Sequence, residues 1–285
     1  MAVAFGGTFV ATKVALRGFE PLLIALLRFA VAGAILWLVW RRRGGRERVA
    51  RAELARLALL GFVSLTVYFA FENIGIAHTS ASAAAILIAT IPIFVLVIGA
   101  LTGRERSSAG QWLGVGLSFA GVVALVELCG RGAGGATLGG DLLVLAASLA
   151  GATYTVMARR LLVTRSALFV TAWQNLFGAL FMAPLAAAVA AFVGVRTPTI
   201  AASAGVLYLA LLGSVVAYLL LNYGLRFVPA PRASAYTNIV PVIAVGVAYV
   251  VLGERFALGQ ALAAVVVLAG VVLVNRAGTA VRQSG

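Results

Sequence analysis

The chain has 285 residues, 63% of them hydrophobic and only 11% charged, with 32 glycines besides. Soluble domains are about 45–50% apolar with glycine counted and about 25% charged, so a cytosolic enzyme, a secreted disulfide scaffold and a disordered chain are excluded. The net charge of +14 comes from 22 basic and 8 acidic residues. In so apolar a chain it reads as membrane topology rather than as a nucleic-acid surface.

The predicted elements are helices. Long unbroken apolar runs such as Ala261–Val274 lack the alternation of a membrane β-barrel. A span needs about 20 apolar residues, and ten spans are read at about 2–16, 20–40, 54–75, 79–101, 109–128, 140–158, 167–191, 202–225, 231–252 and 256–275. Breakers mark the connections: Glu20-Pro21, the Arg41–Arg56 charge run, Gly103 to Arg106, the glycine-rich 130–140, Thr197-Pro198, Pro229 to Pro231 and Gly253-Glu254-Arg255.

Orientation follows from the arginines. With the N-terminus inside, the inward loops hold 16 basic residues, from Arg41 in the first of them to Arg282 in the C-terminal tail. The outward loops hold five, namely Lys13, Arg17, Arg131, Arg196 and Arg255, and Arg28 lies within a span. That bias predicts a multi-pass protein with both termini cytoplasmic.

The two halves repeat. At an offset of 149, Asn73 meets Asn222, Pro92 meets Pro241, Glu105-Arg106 meets Glu254-Arg255, Gln111 meets Gln260 and Gly121 meets Gly270. Earlier spans align at an offset of 146, where Arg28 meets Gln174. Five spans per half is an odd number, so the second copy must insert upside down. This predicts an all-α membrane protein of ten transmembrane helices in two inverted five-helix repeats, 1–128 and 140–276, with a substrate site near the midplane.

Two charges lie within spans. Arg28 costs about 2.5–3.5 kcal/mol at a span centre on insertion scales. It either attracts a substrate anion through its planar donor fork, or snorkels or pairs with a glutamate as a structural lock. Glu72 is either a proton-coupling or cation-binding carboxyl or the structural partner of Arg28. Pro92 and Pro241 each delete a helical hydrogen bond and are read as paired hinges or as static, cavity-forming kinks.

Polar and aromatic residues gather on particular spans: Thr8 and Thr12; Phe69 and Asn73; Tyr154; Trp173 and Gln174; Tyr218 and Asn222; Tyr236 and Asn238. Spans 5 and 10 are nearly free of such groups. Spans 1–4 and 6–9 are therefore expected to enclose a cavity, with 5 and 10 peripheral. Few charges and many rings suit an uncharged or zwitterionic organic solute. Gly110, Gly114, Gly116 and Gly121 allow close helix approach, within the bundle or at a weak homodimer face.

No cofactor or metal is expected. The single cysteine, Cys129, excludes a cysteine metal site, and no Gly-Lys-Ser/Thr accompanies the glycine pairs. A membrane enzyme would cluster His, Asp and Glu near one interface, whereas this chain has one histidine.

Ile91-Pro92, Arg104-Glu105-Arg106 and Ala120-Gly121-Val122-Val123 recur as Val240-Pro241, Gly253-Glu254-Arg255 and Ala269-Gly270-Val271-Val272. With Phe5-Gly6-Gly7-Thr8-Phe9 and Leu27-Arg28-Phe29, these motifs resemble the EamA domain of the drug/metabolite transporter superfamily across essentially the whole chain. The resemblance implies a bacterial inner-membrane exporter of small metabolites such as amino acids or drug-like solutes, working by alternating access. An uncoupled facilitator, a membrane scaffold and a membrane enzyme are the alternatives.

Overall fold

The computed structural model describes residues 1–45, 49–101, 108–130, 137–194, 197–227, 239–255 and 257–283. The chain runs as α1 (Ala2–Ala15), α2 (Pro21–Arg42), α3 (Arg51–Ala77), α4 (Ala81–Leu101), α5 (Ala109–Gly130), α6 (Leu138–Leu162), α7 (Ala167–Val193), α8 (Ile200–Phe227), α9 (Ile239–Leu252) and α10 (Leu258–Gln283). No strand occurs among the described residues. Among the described residues seven helices, α2, α3, α4, α6, α7, α8 and α10, are long and apolar enough to cross a membrane. Among the described residues, α1, the Ala109–Leu125 stretch of α5, and α9 are shorter apolar helices of 10–17 residues.

Local chemistry sets the starts. Pro21 opens α2, where its missing N–H costs nothing. Ser80, Thr137, Ser166 and Thr199 each accept a backbone N–H from the first turn of α4, α6, α7 and α8. Glu254 adds a second cap from a distant loop. Its carboxylate accepts the N–H groups of Ala81 (2.9 Å) and Ser82 (3.0 Å) at the start of α4. Near that end, Thr79 donates to Asp141 at 2.6 Å and the Thr137 N–H to the His78 carbonyl at 2.8 Å. Elsewhere, Arg165 grips Glu53 with two bonds, the second at 2.7 Å.

Three helices are not regular. α3 widens to π-helix over Phe62–Val67 and α8 over Leu209–Ala217. Such segments often mark functional positions. α4 breaks at Ala89-Thr90, and Pro92 then falls in the first turn of the resumed helix rather than in mid-helix. That is where a proline is tolerated. Pro241 is the third residue of α9 as described.

Packing crosses between halves. α1 lies against α8 and α9, and α6 lies against α3 and α4. α2 pairs with α7, and α5 with α10. Gly114 and Gly121 of α5 face the α10 backbone directly, Gly110 lies beside Ala277, and Gly116 faces open space. The aromatic core fills the space among α2, α3, α6, α7 and α8. Large apolar side chains such as Leu180, Ile200, Val250 and Leu262 stay exposed. An outer surface of that kind suits hydrocarbon.

Candidate functional site: a central cavity around Arg28 and Glu72

α2 carries Arg28 into the middle of the bundle, where only 1% of it is exposed. Its Nε donates to Ser214 Oγ of the π-helical part of α8 at 2.9 Å. Its guanidinium carbon lies 4.4 Å from the Phe69 ring centre and 5.3 Å from that of Phe29, within cation–π range. Nη1 meets no acceptor among the described residues. The guanidinium is thus fixed at one corner and stacked on a ring, and Nη1 has no hydrogen-bond partner among the described residues.

α3 supplies the opposite charge. Just after its π-helical turn, Tyr68 and Glu72 stand one helical turn apart, and the Tyr68 hydroxyl donates to Glu72 Oε1 at 2.9 Å. Glu72 is 5% exposed. Arg28 and Glu72 make no ion-pair contact within 4.0 Å among the described residues, but each lies within electrostatic reach of the other.

Both residues line one cavity of about 120 Å³. α1 contributes Phe5, Thr8 and Phe9; α3 adds Ser64, Tyr68 and Phe69; α4 adds Ile88, Ile91 and Val95. α6 brings Tyr154, α8 brings Tyr218 and Leu221, and α9 brings Val240 and Pro241. The lining is mostly apolar with a few convergent polar groups, as in small-molecule sites generally. α5 and α10 take no part in the wall.

Of the residues read in sequence as cavity candidates the cavity gathers six, Thr8, Arg28, Phe69, Glu72, Tyr154 and Tyr218, and of the two hinge candidates Pro241. Five others lie elsewhere. Thr12 is buried in α1 away from the cavity, and Asn73 donates to the Pro21 carbonyl at 2.9 Å. Asn222 accepts from the Tyr154 hydroxyl at 2.6 Å and donates to Thr171 Oγ1 at 2.9 Å. Gln174 is buried beside this network. Trp173 stacks on Phe177 and meets Trp37 edge-on. Tyr236 and Asn238 lie outside the described residues.

These placements correct one expectation. α7 does not wall the cavity; it packs behind α2 and α3, and its polar residues brace the wall from outside. Sequence reasoning also took Glu72 as the one intramembrane carboxylate. Asp141, in the first turn of α6, is equally sequestered at 1% exposed. Ser214 and Gly213 were missed as well. Both lie in an apolar run, and Ser214 is 186 positions from the arginine it holds.

The chain matches the EamA-like transporter family over residues 1–126 and 138–276. It is 30% identical over 275 residues to a protein of Archaeoglobus fulgidus described as an uncharacterized transporter, covering 94% of this chain and 92% of the other. It is also 30% identical over 278 residues to a probable terminal-alkyne amino-acid exporter of Streptantibioticus cattleyicolor, covering 96% and 90%. A solved crystal structure at 19% identity superposes with a TM-score of 0.66 over 95% of this chain and 93% of the other, which shows a shared fold. An all-helical chain with several membrane-length helices, matched to the family in both halves, is a multi-pass membrane protein of the EamA-like transporter family, within the drug/metabolite transporter superfamily.

Proposed function

We propose that this protein is a secondary-type transporter of the bacterial inner membrane. It exports a small organic metabolite, such as an amino acid or a drug-like solute, by alternating access through the cavity around Arg28 and Glu72. The observation that carries this reading is that one buried cation and one buried carboxyl, not in direct contact, share a cavity walled from both halves. The amino-acid exporter among its relatives supports the solute class.

The architecture we infer is ten spans in two inverted repeats, 1–128 and 140–276, with both termini cytoplasmic. The packing supports it. The π-helical turn at Phe62–Val67, moved by 149 positions, falls inside that at Leu209–Ala217. Asn73 bonds the Pro21 carbonyl directly. Its counterpart Asn222 bonds Thr171, whose hydroxyl donates at 2.6 Å to the carbonyl of Ala167, the counterpart of Pro21 at an offset of 146. The arginine bias supports the orientation. Monomers suffice for such a site.

In this scheme Glu72 carries the coupling proton, and Pro241 in the cavity wall and Pro92, next to the wall residue Ile91, act as hinges. The test is efflux of a labelled amino-acid panel from proteoliposomes under an imposed pH gradient. Gradient-driven flux that Glu72→Gln uncouples and Arg28→Gln abolishes is expected. Flux indifferent to the gradient and to Glu72→Gln would remove proton coupling and leave an uncoupled facilitator.

A further inference from the structure

The cavity stops short of one end of the bundle. On α3 its lining goes no further than Glu72, on α4 it begins at Ala85, and on α6 at Gly151. Beyond these residues the end of α3 and the start of α6 meet backbone to backbone. A Cβ on Gly75 would stand 2.9 Å from the Gly140 carbonyl oxygen, and one on Gly140 would stand 2.6 Å from that of His78. Ile76, Ala81 and Val144 pack into this seam, each no more than 1% exposed. At the opposite end the lining reaches Leu225 and Val240, in the last turn of α8 and the first of α9 as described.

One short turn, His78–Ser82, crosses the closed end, and two acids of the other half of the chain hold it. Asp141, in the first turn of α6, accepts the Thr79 hydroxyl at 2.6 Å. Glu254, between α9 and α10, accepts the Ala81 and Ser82 amides, and Lys13 of α1 lies within its electrostatic reach. The Thr137 N–H donates to the His78 carbonyl at 2.8 Å. These holds can also be broken. Asp141 Oδ2 is buried with no hydrogen-bond partner among the described residues, so closure leaves this carboxylate half satisfied and opening returns it to water. Ser80 caps α4 from within the same turn, so the helix keeps a cap when Glu254 leaves.

We propose that the His78–Ser82 turn is the outer gate of the transporter, latched shut by Asp141 and Glu254. Outward opening parts the turn from α6 and from the α9–α10 loop, breaks the Thr79–Asp141 and Glu254 bonds together, and leaves both acids hydrated. Thr79 and Glu254 are positioning residues. Neither lines the cavity, and both set which face of the membrane it opens to. The inference rests on the proposed alternating access and cytoplasmic termini, which put the end of α3 on the outer face. It adds to that reading the contacts that break in every cycle. No covalent step is involved.

The test reads a thiol in the cavity, Val95→Cys in a Cys129→Ser background, by its rate of labelling with a membrane-impermeant maleimide. Right-side-out spheroplasts give the outside rate and inside-out vesicles the inside rate. Thr79→Val leaves Asp141 buried without its donor, and Glu254→Gln removes the charge at the start of α4, so each weakens the closed gate. Each variant raises the outside rate at least about fivefold, the scale of one lost charge-assisted hydrogen bond, without raising the inside rate. The two act at different contacts, so either one that purifies folded carries the test alone. Glu53→Gln breaks the ion pair with Arg165 at the other end of α3 and leaves the outside rate as it was. An outside rate unchanged by both gate variants, an equal rise with Glu53→Gln, or a rise from the cytoplasmic side instead would overturn the inference. Proteoliposome flux of the amino-acid panel separates the two readings. Faster outside labelling in the gate variants with no flux in any protein retains the gate and removes transport. Flux in the wild type with labelling unchanged in the gate variants does the reverse.

Discussion

The Ser118 hydroxyl donates to the Val267 carbonyl at 3.2 Å, and the two residues stand 149 positions apart, the offset at which the halves of the sequence match. The glycines beside them repeat the relation. A Cβ on Gly121 would meet the Val267 nitrogen at 2.7 Å, and one on Gly270, its counterpart, would meet the Ser118 nitrogen at 2.5 Å. The α5–α10 contact is therefore nearly its own image when the halves are exchanged.

That contact has no room for side chains, because the obstructing atoms are backbone. Gly121→Leu and Gly270→Leu should each destabilise the protein by about 1–3 kcal/mol or more, the scale of overpacking. Gly116→Leu on the same helix should stay within about 0.5 kcal/mol, since a Cβ there meets nothing. Thermal denaturation in detergent checks the contrast. Equal effects of all three would place the tight face elsewhere.

Glu254 receives two N–H groups at the start of α4, where the helix dipole also favours a negative charge. Lys13, in the last turn of α1, is within electrostatic reach. Glu254→Gln keeps the shape and loses the charge, and should lower stability by about 1 kcal/mol. Hydrogen exchange of the Ala81 and Ser82 amides should rise in the variant. Unchanged protection there would mean that the cap at Ser80 suffices alone.

Tyr154 and Asn222 bond in the buried wall at 2.6 Å. Tyr154→Phe orphans the Asn222 amide oxygen, at about 1–3 kcal/mol for an unsatisfied buried acceptor. The double variant Tyr154→Phe/Asn222→Leu should cost less than the sum of its singles, because the orphaned group is gone. Chemical denaturation of the four proteins checks this. Additive costs would mean that the two groups act independently.

Much of this was legible in the sequence. Proline, glycine and arginine runs punctuate the helices, and a charge within an apolar span singles out Arg28 and Glu72 on cost alone. The facing of each helix was not legible. Where both cavity and lipid neighbours are apolar, periodicity does not tell one from the other, so Trp173 and Gln174 were grouped with the cavity although α7 packs behind it. Ser214 and Gly213 carry no local signal, since what matters is an arginine 186 residues away from Ser214. The π-helical turns at Phe62–Val67 and Leu209–Ala217 are likewise invisible, because nothing in their apolar composition differs from that of a regular turn.

Val95 lines the cavity and tolerates a substitution of nearly equal volume. Val95→Cys in a Cys129→Ser background gives one thiol at the site, independent of solute identity. Alternating access predicts that a membrane-impermeant maleimide labels it both in right-side-out spheroplasts and in inside-out vesicles, and that a bound solute protects it from both sides. Labelling from one side alone, unchanged by solute, would contradict a cavity that opens in turn to each face of the membrane.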